Sequence, residues 1–227
     1  MSRSRRIAEM TSEELSLIER PLLVVPVGSC EQHGAHLPLA TDTVIAERLC
    51  DELASRHLRV VIGPSITISS SGEHAGFVGT LSIGREATST TLVELVRSAD
   101  WAHDVLLVNG HGGNVAALTH AANLLRSESR SVSVWNPHID GSDAHAGHVE
   151  TSLMLAIAPT LVHMDRARVG NIEPLAELTT RLTTTGVRSV SPNGVLGDPL
   201  SATADEGRRL LSHLVADLVA HATTHHP

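Results

Sequence analysis

Short apolar runs alternate along the chain with longer amphipathic stretches, and this alternation constrains the fold more than any other feature. Four runs have the length and apolar content of buried strands: 21–27, 59–62, 104–108 and 131–135. Five stretches have the 3.6-residue period and end signals of helices: 41–57, 90–103, 113–127, 148–157 and 204–222. Strands and helices that alternate in this way predict βαβ units, and therefore an α/β fold with a mainly parallel sheet.

The periodicity weakens between Leu161 and Leu200, where prolines and glycines interrupt the chain, among them Pro174, Gly186, Pro192, Gly194, Gly197 and Pro199. We interpret this segment as a long excursion within a single domain that spans residues 1–227, and not as a domain boundary. Loops of this length are unusual inside a domain and often carry function or form oligomer contacts.

Charge and composition exclude several classes of protein. The chain has 17 Lys and Arg against 25 Asp and Glu, and the net charge of −8 argues against nucleic acid or an anionic membrane as a partner. It has no apolar stretch approaching the ~20 residues of a membrane span and no evident signal peptide, so we expect a cytoplasmic protein. Only two cysteines but 15 histidines are present, which favours chemistry based on imidazole.

Ligand-type side chains follow the predicted strands, where open α/β sheets bind their ligands. After the first strand, Glu31 and His33 lie at i and i+2 of an extended segment and so share one face, and Asp42 follows at a helix start. His111 sits in a glycine-rich turn after the third strand, and His145 and Glu150 precede and open a later helix.

Each of these residues has a simpler interpretation when it is taken alone. A single histidine is more often structural, the glycine-rich turn could bind an anion, and Glu150 could face a helix dipole. The conjunction of three histidine-bearing segments favours a metal site instead. Glu31, Asp42 and Glu150 together carry −3, and two divalent cations carry +4, so a bridging hydroxide would balance the remaining +1. Nitrogen and oxygen donors suit Zn, Mn or Fe(II).

Four motifs resemble those of the creatininase family of metal-dependent amidohydrolases: 31–34 (EQHG), 73–80 (EHAGFVGT), 109–114 (NGHGGN) and 145–154 (HAGHVETSLM). The resemblance covers most of the chain from Leu22 to Pro159. Residues 186–199 and 202–207 also resemble the branch of the family associated with mycofactocin biosynthesis. The family resemblance implies a three-layer α/β/α fold, and it makes the excursion a family feature.

The resemblance also implies a two-metal site and the role of each residue in it. Glu31, Asp42 and His111 would hold one metal, and His33, Asp42 and Glu150 would hold the other, with Asp42 as the bridge. His145 matches the catalytic histidine, which passes a proton to the leaving nitrogen. Creatininase carries a Tyr and a Glu where Gly112 and Gly113 stand here, so we do not expect creatinine as the substrate.

The candidate substrate-binding residues are His36, Glu73, His74, Gly112, Gly113 and Asn114. His36 could line the site, brace a metal ligand or be structural, and Glu73 and His74 could reach the substrate or be polar loop residues.

The resemblance implies a metallopeptidase that cleaves a modified ribosomal precursor peptide. A metal-bridging hydroxide would attack an amide bond and release the crosslinked carboxyl-terminal Val-Tyr-derived unit. The alternatives are a small cyclic-amide or formamide hydrolase with the same metals, and a non-catalytic anion or nucleotide binder. Family precedent also implies a homo-oligomer, often a hexamer.

Overall fold

Four parallel strands form the central sheet of the computed structural model, which describes residues 5–226. They are β1 (Leu22–Val27), β2 (Val60–Ile62), β3 (Asp104–Asn109) and β4 (Val132–Trp135), in the order β2-β1-β3-β4. Each lies within one residue of its predicted bounds. The register pairs Leu22 with Asp104 and Val27 with Asn109, so β1 and β3 end at the same level of the sheet.

Helices connect and cover these strands. They are α1 (Ser12–Ser16), α2 (Thr41–Ala54), α3 (Gly84–Ser98), α4 (Val115–Ser127), α5 (His148–Ile157), α6 (Leu175–Thr185), α7 (Val187–Val190) and α8 (Ala204–His225). A helix was predicted over 90–103, but these bounds were wrong: α3 begins at Gly84 and ends at Ser98. The hydroxyl of Ser82 accepts a hydrogen bond from the Gly84 amide at the start of this helix.

The excursion after Leu161 contains helices α6 and α7 where the sequence showed only weak periodicity. Leu178 and Leu182 of α6 pack in a small cluster with Val190 and Leu196. Five threonines in α6 conceal this apolar stripe, because threonine is neither strongly apolar nor a strong helix former. The weak periodicity of this segment therefore failed to indicate its two helices.

Side chains of the sheet alternate between two aliphatic layers. Leu22 and Val24 of β1 belong to the core formed with α2, α5 and α8, whereas Leu23 and Val25 belong to the core formed with α3 and α4. Strand residues buried on both faces are typical of a parallel sheet between helices. This arrangement confirms the predicted three-layer α/β/α fold. None of the described helices is long and apolar enough to cross a membrane.

Helices α5 and α8 approach each other closely at Gly207. A Cβ atom at this position would collide with the carbonyl oxygen of Ser152 and would lie 2.9 Å from Cβ of Ala156. This close contact lies two residues along α5 from Glu150, which stands in the first turn of the same helix.

We expect Gly207→Ala to destabilise the protein by about 1 to 3 kcal/mol, because the added methyl group forces the helices apart. In an exposed helix the same change would stabilise by roughly 1 kcal/mol. Thermal and denaturant unfolding followed by circular dichroism measure the change. Ser212→Ala, at an exposed position of α8, is the control. An increase in stability for Gly207→Ala would contradict the described packing.

Candidate metal centre

The five predicted metal ligands converge at the carboxyl ends of β1 and β3. Four groups of side chains among the described residues have ligand atoms within 4.8 Å of one another. Two of them combine Glu31 with His33 and His145, or with Glu73 and His74. The other two match the predicted ligand sets: Glu31, Asp42 and His111, and His33, Asp42 and Glu150. Both of these sets contain Asp42. The structure therefore brings together the residues of both predicted ligand sets, around one shared carboxylate.

Asp42 lies in the first turn of α2 and is almost completely buried. Its Oδ1 atom lies 3.0 Å from Nε2 of His33, and its Oδ2 atom lies 3.3 Å from Nδ1 of His111. Oδ2 also accepts a hydrogen bond of 2.6 Å from the Ser29 hydroxyl. Burial opposes its ionisation, but the charge of His33 and hydrogen bonds from both histidines hold the pKa of Asp42 well below its usual value. The two oxygens of this carboxylate thus face two different histidines.

Glu31 is fully buried, and neither of its carboxylate oxygens has a hydrogen-bond partner among the described residues. Histidine nitrogens surround it: Nε2 of His111 lies 3.1 Å from Oε2, and Nε2 of His74 lies 3.2 Å from Oε1. Burial raises the pKa of Glu31 to about 8. A buried, unsatisfied carboxylate is costly unless a cation compensates it. The nitrogen and oxygen donors around Glu31 fit a divalent metal ion.

His33 has the hydrogen-bond pattern of a metal-binding histidine. Its Nδ1–H donates to the carbonyl oxygen of Glu31 at 3.1 Å, which leaves Nε2 directed at Asp42 and, at 3.7 Å, at Glu150. A second nitrogen that donates to a carbonyl commonly fixes the tautomer of a ligating imidazole. Burial opposes protonation, but the charge of Asp42 outweighs it and raises the pKa of His33 to about 9. Burial raises the pKa of Glu150 to about 7.

The His145 ring packs between two other imidazoles, with its centroid 4.3 Å from that of His33 and 4.4 Å from that of His74. Its Nε2–H donates to the carbonyl oxygen of Gln32 at 2.8 Å, and its Nδ1 lies 3.6 Å from Oε1 of Glu31. Burial holds the pKa of His145 well below its usual value, so the ring is neutral. A neutral ring with a free Nδ1 at the centre of the cluster can accept a proton.

A cavity of about 1170 Å³ opens above these residues. Its floor includes Asp42, His111, His145 and Glu150, and one wall includes Leu175 and Leu182 of α6 among its other residues. Sequence reasoning missed this contribution of α6, because its helical pattern was obscured by threonines.

Four of the six candidate substrate-binding residues line this cavity, namely Glu73, His74, Gly112 and Gly113. Glu73 Oε1 lies 3.3 Å from Nε2 of His111. Burial lowers the pKa of His74 to about 4, which keeps this ring neutral as well.

His36 and Asn114 lie behind the site and not on the cavity wall. His36 is fully buried, with Nε2 2.9 Å from the Thr151 hydroxyl. The side-chain amide of Asn114 donates to the carbonyl oxygen of Gly28 at 2.9 Å, and its oxygen accepts from the Ser70 amide at 3.2 Å. These positions favour bracing of the loops that carry the site over contact with a substrate.

Gln32 was not among the predicted site residues, although it lies between two of them in the sequence. Its side-chain nitrogen lies 3.0 Å from Nδ1 of His74 and donates to the carbonyl oxygen of Gly194 at 2.9 Å. It thus links the histidine cluster to the segment after α7. Only its position between Glu31 and His33 could have indicated this role.

Comparisons with known proteins agree with this geometry. Residues 8–222 match the model of the creatininase family, described as creatinine amidohydrolase. The chain is 49% identical over 209 residues to the mycofactocin precursor peptide peptidase of Mycobacterium ulcerans (strain Agy99), covering 88% of this chain and 84% of the relative. It is 48% identical over 202 residues to the protein of that name from Mycolicibacterium smegmatis, covering 86% and 81%. A crystal structure of creatinine amidohydrolase has the same fold, with a TM-score of 0.82, 23% identity and full coverage of both chains.

We expect the affinity for Zn²⁺ to increase between about pH 6 and about pH 8. In the metal-free protein, Glu150, Glu31 and His33 have pKa values raised to about 7, 8 and 9, so they hold protons that a cation must displace. As the pH rises these protons are lost, and the competition with the cation decreases. Titration against a chromophoric chelator of known pH dependence measures the affinity, and calorimetry in two buffers measures the protons released. Binding that is independent of pH and releases no protons would contradict this description.

Proposed function

Because the chain belongs to the creatininase family, we propose that it is a metal-dependent peptidase that hydrolyses an amide bond of the modified mycofactocin precursor peptide. The names of the relatives, which are 47–49% identical to it over more than four fifths of the chain, support this substrate. The observation that carries the chemistry is the shared Asp42 carboxylate, with His33 facing one oxygen and His111 facing the other.

Two divalent cations per chain are the cofactor of this proposal, with Fe(II), Zn and Mn as the candidates. Glu31, Asp42 and His111 would hold one, and His33, Asp42 and Glu150 would hold the other. The unsatisfied carboxylate of Glu31 supports the fit, because a cation there removes the cost of burying it. Such a pair of cations supplies an activated water molecule and polarises the carbonyl group of the substrate.

The protein groups around the cations direct the proton transfer. His145 is neutral, and its Nε2–H is held by the carbonyl oxygen of Gln32, so Nδ1 is the atom free to accept and deliver a proton. In the proposed reaction His145 takes a proton during attack on the amide carbon and gives it to the departing nitrogen. The C–N bond breaks, and water supplies the OH group of the new acid and the hydrogen of the new amine.

The size of the cavity favours a peptide over a small cyclic amide. Its volume of about 1170 Å³ exceeds the roughly 300 to 1000 Å³ of common small-molecule sites. Gly112 and Gly113 line the cavity without side chains, and apolar and hydroxyl groups of α6 line it as well. In the proposed reaction, the crosslinked carboxyl-terminal Val-Tyr-derived unit of the precursor is released from this cavity.

We propose further that residues 1–227 form one catalytic domain that assembles as a cytoplasmic homo-oligomer, with the hexamer of the family as the precedent. Exposed apolar side chains support an interface, since Val78 is 98% exposed and Ile172 is 72% exposed.

Incubation of the protein with the modified, crosslinked precursor peptide tests the substrate. We expect mass spectrometry to detect the released carboxyl-terminal fragment when Fe(II) or Zn²⁺ is added, and an intact peptide when a chelator is present. An intact peptide beside a fully metal-loaded protein would contradict the peptidase proposal. It would direct the search to small cyclic amides and formamides with the same metal centre.

The role of His145 predicts a separation of catalysis from metal binding. His145→Gln is expected to lower kcat by about 10² to 10⁴-fold, because the proton carrier is lost, while the metal content stays unchanged. Metal analysis and steady-state kinetics measure the two effects, and His138→Gln, which alters an 83% exposed histidine, is the matched control. Loss of a metal ion from His145→Gln would identify the residue as a ligand instead.

A further inference from the structure

Glu73 reaches the site from the short 3-10 turn Gly72–His74, between β2 and α3. The proposed ligand sets and the proposed proton transfer leave it without a role. Its Oε1 atom lies 3.3 Å from Nε2 of His111, and the same nitrogen lies 3.0 Å from the carbonyl oxygen of Ser70. Oε2 of Glu31 also lies 3.1 Å from this nitrogen. Three oxygen atoms therefore face Nε2 of the His111 ring, while Nδ1 of that ring faces Asp42.

Two glycines from distant parts of the chain make room for Glu73. A Cβ atom at Gly113, in the turn after β3, would collide with Oε1 of Glu73, with Nε2 of His111 and with the carbonyl oxygen of Ser70. A Cβ atom at Gly186, after α6, would lie 2.8 Å from the carbonyl oxygen of Glu73, and its φ of 77° favours glycine in addition. At the neighbouring Gly112, a Cβ atom would meet nothing within 4 Å. The space above His111 is thus kept open specifically where the Glu73 carboxylate enters.

We propose that Glu73 is a positioning residue of the metal centre, whose carboxylate accepts a hydrogen bond from Nε2–H of His111 and directs Nδ1 toward the cation shared with Asp42. The inference rests on the two-metal centre proposed above. Ligating histidines commonly donate their second N–H to a carboxylate or a carbonyl, which orients the ring and makes the ligating nitrogen more basic. The Ser70 carbonyl alone would orient the ring, whereas the charge of Glu73 also increases its basicity.

The Glu73 carboxylate explains why position 113 is a glycine. A side chain there would occupy the volume of the Glu73 carboxylate, so Nε2 of His111 would lose this carboxylate as a partner. Gly113 and Glu73 are therefore two parts of one arrangement, although 40 positions separate them in the sequence.

Zn²⁺ binding by the full chain tests the proposal with a readout that does not depend on catalysis. Metal-free protein is titrated with Zn²⁺ against a chromophoric chelator, and elemental analysis gives the stoichiometry. We expect Glu73→Ala to lower the affinity for one of the two Zn²⁺ ions by about 10 to 100-fold and to leave the affinity for the other unchanged. Glu73→Gln is expected to lose less affinity, because its amide oxygen still accepts the hydrogen bond from His111.

Substitutions at the glycine turn and at the cavity rim provide the matched controls. Gly113→Ala should lower the affinity for the same Zn²⁺ ion as Glu73→Ala does, whereas Gly112→Ala should leave both affinities unchanged. Glu86→Ala removes a second carboxylate that lines the cavity and should also leave them unchanged. Thermal unfolding of each metal-free variant separates an effect on metal binding from an effect on folding.

Three outcomes would overturn the proposal. Wild-type affinity in Glu73→Ala would remove the positioning role, and equal losses in Glu73→Gln and Glu73→Ala would make the carboxylate a direct ligand. If Glu86→Ala and Glu73→Ala weakened the binding of both ions equally, the effect would reflect only the general negative charge of the cavity. A wild-type protein that binds no Zn²⁺ would instead refute the two-metal centre itself.

Discussion

A carboxylate buried without a hydrogen-bond partner dominates the energetics of the site. Glu31 is fully buried, and its two oxygens face histidine nitrogens at 3.1 and 3.2 Å without forming a hydrogen bond among the described residues. Removing a carboxylate from water costs several kcal/mol unless an opposite charge compensates it. Burial raises the pKa of Glu31 to about 8, and Glu31, Asp42 and His111 lie close enough together to hold a cation that would offset this cost.

The parallel sheet makes this cluster possible because it ends two neighbouring strands at one level. Val27 of β1 pairs with Asn109 of β3, so the segments that follow them meet at the same edge. Glycines at the two strand ends let the first turn of α2 sit directly on that edge. A Cβ atom at Gly28 would collide with Thr43, and one at Gly110 would collide with the carbonyl oxygen of Asp42. The backbone contact there places the Asp42 carboxylate between the two strand ends.

The segment after Leu161 packs beside the candidate metal centre. Helix α6 supplies one wall of the cavity, and the carbonyl oxygen of Gly194 accepts a hydrogen bond from Gln32, whose side chain also contacts His74. A Cβ atom at Gly194 would collide with the Gln32 side chain, and its φ of 82° also favours glycine. This segment is therefore packed against the histidine cluster and lines the same cavity, where it can influence which substrate fits.

The sequence by itself determined the strands, the layered α/β fold and the family, because apolar periodicity and motif spacing are local properties of the chain. It also identified the ligand-type residues that meet around Asp42, since parallel strands bring their carboxyl ends together. Only the tertiary structure decided that α6 walls the cavity, that His36 braces α5, and that Glu73 enters above Gly113. These are contacts between segments far apart in sequence, and no local pattern records which side chain fills the space that a distant glycine leaves open.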